Sequence, residues 1–160
     1  MAWALLKAVH VLAVLLWVGG MAFVQFFLRP SLPLLQPPQR LQLMHAVLGR
    51  FFAAMLWATG AVLLTGLWML GRVARQFHAV GTPVQWPWTW WLMAAVGLLM
   101  VGIFLFIRFL RWPAMDRAVC ASDWPAAGVA LAGIRQWVAV NLVLGLALVA
   151  VVLVGPGLPA

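Results

Sequence analysis

Four stretches of this chain are apolar for long enough to cross a bilayer, and very little charge interrupts them. They run from Leu5 to Leu28, Phe51 to Leu70, Trp88 to Leu110 and Trp137 to Val154. About 20 helical residues span the ~30 Å of hydrocarbon. Inside lipid the backbone must satisfy its own N–H and C=O groups, which leaves helices and closed barrels. Barrel strands alternate apolar and polar residues over about ten positions, and these runs do not alternate. The expected fold is all-α: an integral membrane four-helix up-down-up-down bundle, one transmembrane domain covering residues 1–160. The first run lacks a basic stretch before a core that is long for a cleaved leader, so it reads as a span.

Charge supports the lipid reading. The chain is 67% hydrophobic and 8% charged, with a formal charge of +8 and only two acids, Asp116 and Asp123. A soluble domain carries about 25% charged residues. The ten basic residues stand singly, mostly at the ends of apolar runs, and do not cluster as a phosphate-tracking patch would, so no nucleic-acid partner is expected. Counted over the connections, Lys7, Arg72 and Arg75 fall on one side. Arg29, Arg40, Arg50, Arg108, Arg111, Arg117 and Arg135 fall on the other. The positive-inside rule then puts the first and third connections in the cytoplasm and both termini outside. Trp3, Trp68, Trp86, Trp88, Trp90 and Trp91 fall at the outer boundary, and Trp112, Trp124 and Trp137 at the inner one. Trp17 and Trp57 fall near mid-membrane, where an indole N–H calls for a partner inside the bundle.

Two helices are expected to start outside the bilayer. Pro38 suits the first position of a helix, and Leu41, Met44, Leu48 and Phe52 then form one apolar stripe. That segment reads as lying along the interface before entering the second span. Ser122-Asp123 followed by Trp124-Pro125 reads as an N-cap with Pro in the first turn, leading through Ala127, Leu131 and Ile134 into the fourth span. Arg72 to Pro87, with Gly81, Pro83 and Pro87, reads as loop. No internal repeat is visible. Gly60, Gly66, Gly97, Gly102 and Gly145 are expected to mark close helix contacts.

The chemistry available is limited. There are no paired carboxylates, no Ser-His-Asp pattern, no Cys cluster around the lone Cys120 and no Gly-rich phosphate loop, so the chain reads as a binding protein more than an enzyme. His10 stands out. An ionisable group at membrane depth is costly and faces the bundle or a cavity. Its alternatives are a packed neutral imidazole, a ligand to a metal or haem, or a group that handles substrate or protons. Counting depth from the outer side, His10 is level with Thr65 to Met69 on the second span and with Leu92 and Met93 on the third. Met69 and Met93 are thus the nearest thioethers in height, though methionine in a bundle is usually packing. One imidazole with two thioethers suits Cu(I), and with one thioether suits haem. His45 is placed a bilayer away as a surface histidine, and His78 in the outer loop. Asn141, Thr59 and Thr65 read as interhelical hydrogen-bonding groups.

Lys7-Ala-Val-His10, Trp17-Val-Gly19-Gly20 and Arg29-Pro30 together resemble the CopD (copper resistance D) family of bacterial inner-membrane proteins. Arg50-Phe-Phe and Thr65-Gly66-Leu67-Trp68 resemble its second span, and Asp123-Trp-Pro-Ala-Ala, Ile134-Arg135 and Asn141-Leu its last segment. The opening is also similar to HemJ-type protoporphyrinogen oxidases, which bind haem b. The resemblance implies copper binding, transport or tolerance in the inner membrane, with His10 as ligand; Met69 and Met93, matched to it by depth, would assist. Haem b at His10 is the alternative it implies. A third reading is an accessory subunit that partners other membrane subunits or further copies of itself. Where relatives often carry His or Lys at the start of the third span, this chain has Trp88-Thr89-Trp90-Trp91.

Overall fold

A computed structural model describes residues 1–79, 81, 83 and 86–154. Among them the chain is helical, and four helical stretches are long and apolar enough to cross a membrane. The first comprises α1 (Ala2–Phe23), a π turn (Val24–Leu28), α2 (Arg29–Ser31) and a 3₁₀ turn (Leu32–Leu34). The second is α3 (Pro37–Ala79). The third comprises α4 (Trp88–Phe106), a π turn (Ile107–Arg111) and α5 (Trp112–Cys120), and the fourth is α6 (Trp124–Val154). The four-helix membrane architecture expected from the apolar runs is the one observed.

Helix α3 differs from expectation at both ends. It holds 43 residues, about 64 Å of helix. Pro37 begins it, one residue earlier than expected, and the backbone N–H of Gln36 donates to Gln39 Oε1 at 3.1 Å, a cap bond that helps fix this start. No proline or break interrupts it after Pro38, so the stripe of Leu41, Met44, Leu48 and Phe52 continues the span as one helix and does not turn along the interface. Met44, Leu48 and Phe52 are buried in the bundle. At the far end the helix runs through Arg72 to Ala79, a stretch expected to be loop. Nothing in it breaks a helix before Gly81, and its cations are held: Arg72 lies over the Trp3 ring at 5.7 Å and Arg75 over Trp68 at 5.9 Å.

Helix α6 starts as expected. The Ala126 N–H donates to Asp123 Oδ1 at 3.0 Å, and Ala127, Leu131 and Ile134 are buried. Spans one and three share a device the sequence does not advertise. In each, a π turn is followed by one residue, Arg29 or Trp112, and then by proline, Pro30 or Pro113. Proline lacks an N–H, and its ring crowds the carbonyl four residues back, so the preceding turn widens.

The core is one cluster running the length of the bundle. Trp17 meets Phe104 edge-on at 5.8 Å, Phe52 packs on Phe104 and Trp112, and Met21, Met55 and Met115 fill gaps between them. Close approach falls on fewer glycines than expected. A Cβ on Gly145 would come within 2.9 Å of Val18 and 3.0 Å of Met100, while Gly60, Gly97 and Gly102 have nothing within 4 Å. Gly20 is the tight position that small-residue spacing missed: its Cβ would meet the Phe51 ring at 2.5 Å. One tryptophan departs from expectation. Trp57 is 84% exposed and points out of the bundle, not into it. Trp112 is buried against His45 and Phe52.

Candidate functional site: His10 between α1 and α3

His10 lies one and a half turns along the first apolar run, on α1, and is half-buried against α3. Its Nδ1 lies 2.9 Å from Thr65 Oγ1. The depth matching that set His10 level with Thr65 to Met69 therefore describes a direct contact. Gly66 lies beside the ring: a Cβ there would sit 3.5 Å from His10 Cε1, in ordinary van der Waals contact. Lys7, one turn earlier on the same face, is exposed.

The hydrogen bonds favour one tautomer. Thr65 has one hydroxyl proton, and Oγ1 lies 2.5 Å from the Ala61 carbonyl oxygen and 3.3 Å from that of Val62. Carbonyls only accept, so a hydroxyl proton directed at either leaves Oγ1 to accept from His10 Nδ1. With the imidazole proton on Nδ1, the Nε2 lone pair would be the one offered to a metal ion. A metal-binding histidine is commonly held by a partner on its other nitrogen in this way. Here the partner is supplied by a threonine on the neighbouring helix.

Met69 lies one turn beyond Thr65 on α3, on the same face, and is half-buried. Met93 lies in the second turn of α4 and is also half-buried. The three residues occupy three different helices at the same end of the bundle. Five other methionines, Met21, Met44, Met55, Met100 and Met115, are buried in the core, a concentration of thioether the sequence reading did not single out. Among the described residues no group of three or more His, Cys, Asp or Glu could hold a metal ion, so any soft-metal site here depends on methionine.

The other two histidines are far from His10. His78 is exposed in the last turn of α3, a helical position and not the loop position expected, roughly 20 Å of helix beyond Thr65. His45 is roughly 30 Å from Thr65 in the opposite direction along the same helix. It is not a free surface histidine. Its ring stacks on Trp112 with centroids 4.9 Å apart and planes 9° from parallel, and its Nε2–H donates to Asp116 Oδ1 at 2.7 Å.

Two polar groups expected to bond between helices do not. Asn141 is buried, and its Oδ1 has no hydrogen-bond partner among the described residues; the same holds for Thr59 Oγ1. Thr65 alone of the three fulfils the expectation.

No curated protein and no solved structure matches the chain significantly. The family model described as copper resistance protein D matches residues 45–154, from His45 to the end of α6. The match spans α3, α4, α5 and α6, and the first span with His10 lies outside it. More than two thirds of the chain is covered, with three of its four membrane-crossing helices, and the chain accordingly belongs to the CopD (copper resistance protein D) family of membrane proteins.

Proposed function

We propose that this protein binds Cu(I) as a cargo at His10, with Met69 and Met93 as thioether ligands, and serves copper handling in a bacterial inner membrane. The observation that carries the reading is the His10–Thr65 hydrogen bond, which orients the imidazole and favours an unprotonated Nε2. Family membership adds the copper connection. Imidazole and thioether are neutral, soft donors, suited to a monovalent ion that must be held and then released without a change of protonation. The Lys and Arg distribution supports an orientation with the His10 end and both termini outside, which would open the site to the periplasm.

The experiment is Cu(I) titration of the detergent-purified protein against a chromophoric chelator. Near-stoichiometric binding is expected, lost in His10→Ala and weakened in Met69→Leu and Met93→Leu. Binding that is unchanged in His10→Ala overturns the site. Loss of binding in neither methionine variant overturns their role as ligands.

A further inference from the structure

Both acids of this chain are already engaged. Asp116 accepts from His45, and Asp123 caps α6 through the Ala126 N–H. Against these two acids stand ten Lys and Arg residues. Three of the arginines converge on one pocket. Arg29 at the start of α2, Arg40 in the first turns of α3 and Arg135 on α6 line a space of about 350 Å³, walled by Leu32, Leu41 and Leu131. It lies at the end of the bundle that carries the first and third connections.

The arginines are placed but not neutralised. Arg40 is anchored by its backbone neighbours: Nε donates to the Leu35 carbonyl at 2.6 Å and Nη2 to the Pro33 carbonyl at 3.1 Å. Arg135 is half-buried, and its Nε is shut off from solvent with no hydrogen-bond partner among the described residues. The ion pair found among those residues joins His45 and Asp116 and involves none of the three. A buried N–H without an acceptor is destabilising, and like charges around one cavity repel. Both costs disappear if an anion with several acceptor oxygens occupies the pocket. Arg29 and Arg135 also line a small space of about 20 Å³ beside Met44, Leu48, Ile134 and Val138.

We propose that this pocket binds an anionic phospholipid, its phosphate among Arg29, Arg40 and Arg135 and its acyl chain along Leu32, Leu41 and Leu131. Basic pockets between membrane helices are suited to such headgroups. Guanidinium groups match phosphate oxygens with paired N–H donors. The apolar walls decide between a lipid and a free phosphate. A hydrated inorganic ion gains nothing from leucine, whereas an acyl chain does.

The test is native mass spectrometry of the full-length protein in mild detergent, with phosphatidylglycerol or phosphatidylcholine added at equal concentration. Wild type is expected to retain phosphatidylglycerol selectively and to keep it in millimolar inorganic phosphate. A basic residue near an anionic surface contributes about fivefold in binding, so Arg29→Gln with Arg135→Gln is expected to weaken retention roughly 25-fold. Arg29→Lys with Arg135→Lys is expected to keep most of it. Equal retention of the two lipids by wild type overturns the proposal, as does a glutamine variant that holds phosphatidylglycerol like wild type. Complete displacement by inorganic phosphate reassigns the pocket to a free anion and overturns the lipid reading. If the glutamine variant does not fold, judged by its helical circular dichroism, the lipid and phosphate comparisons on wild type still decide.

Discussion

The imidazole of His45 on α3 and the carboxylate of Asp116 on α5 are joined by a 2.7 Å hydrogen bond, with the His45 ring lying flat on Trp112. The pair ties the second and third membrane-crossing stretches together at the end opposite His10. Their side chains are 26% and 49% exposed, so solvent weakens the electrostatic part. A double-mutant cycle with His45→Ala and Asp116→Ala, followed by thermal unfolding in detergent, is expected to give a coupling of about 0.5–1 kcal/mol. Strictly additive losses would mean the contact contributes nothing to stability.

Thr65→Val keeps the volume of the side chain but removes the acceptor that holds the His10 proton on Nδ1. The fold is expected to survive, since valine suits a buried helical position. Cu(I) affinity is expected to fall by about 10-fold, the lower end for loss of a bond that orients a ligand. Thr65→Ser should restore it. A valine variant that binds copper as tightly as wild type would detach Thr65 from the site.

Glycine has unequal importance along the bundle, and two substitutions separate the cases. A Cβ at Gly145 meets Val18 and Met100 at 3.0 Å or less, so Gly145→Ala is expected to destabilise by about 1–3 kcal/mol. Gly60 has open space around it, and Gly60→Ala is expected to leave the melting temperature unchanged or slightly raised. Melting curves for the two variants in one detergent check the contrast, and equal effects would contradict it.

Cys120, exposed at the end of α5, reports the orientation of the chain directly. With the third connection in the cytoplasm, a membrane-impermeant maleimide added to intact spheroplasts should leave it unlabelled, and lysis should expose it. Labelling before lysis would reverse the topology and place the His10 end inside.

The spans were legible because each is a run of apolar residues, a property of composition alone. Faces were legible only where polar residues interrupt the apolar pattern. Met44, Leu48 and Phe52, and likewise Ala127, Leu131 and Ile134, stand out because polar residues share their stretches of helix. Within lipid the outward face is as apolar as the core, so no period distinguishes them. That is why Trp57 was placed inside the bundle and Gly20 went unnoticed. His10 and Thr65 could be matched because both are polar on a bare background and helical rise fixes their depth. The His45–Asp116 bond joins residues 71 positions apart, and nothing local in either segment points to the other.

The widened turns of spans one and three also set direction. Each residue of an α-helix advances the side chains by about 100°, so a turn that accommodates one residue more re-aims everything after it by that angle. Arg29 is the first residue after the turn at Val24–Leu28, and it faces the same pocket as Arg135. With α geometry throughout, the same sequence would swing that guanidinium to a different quadrant of the helix. A single extra residue accommodated ahead of Pro30 therefore works as a rotation, steering a cation within a hydrogen-bonded rod that never has to break.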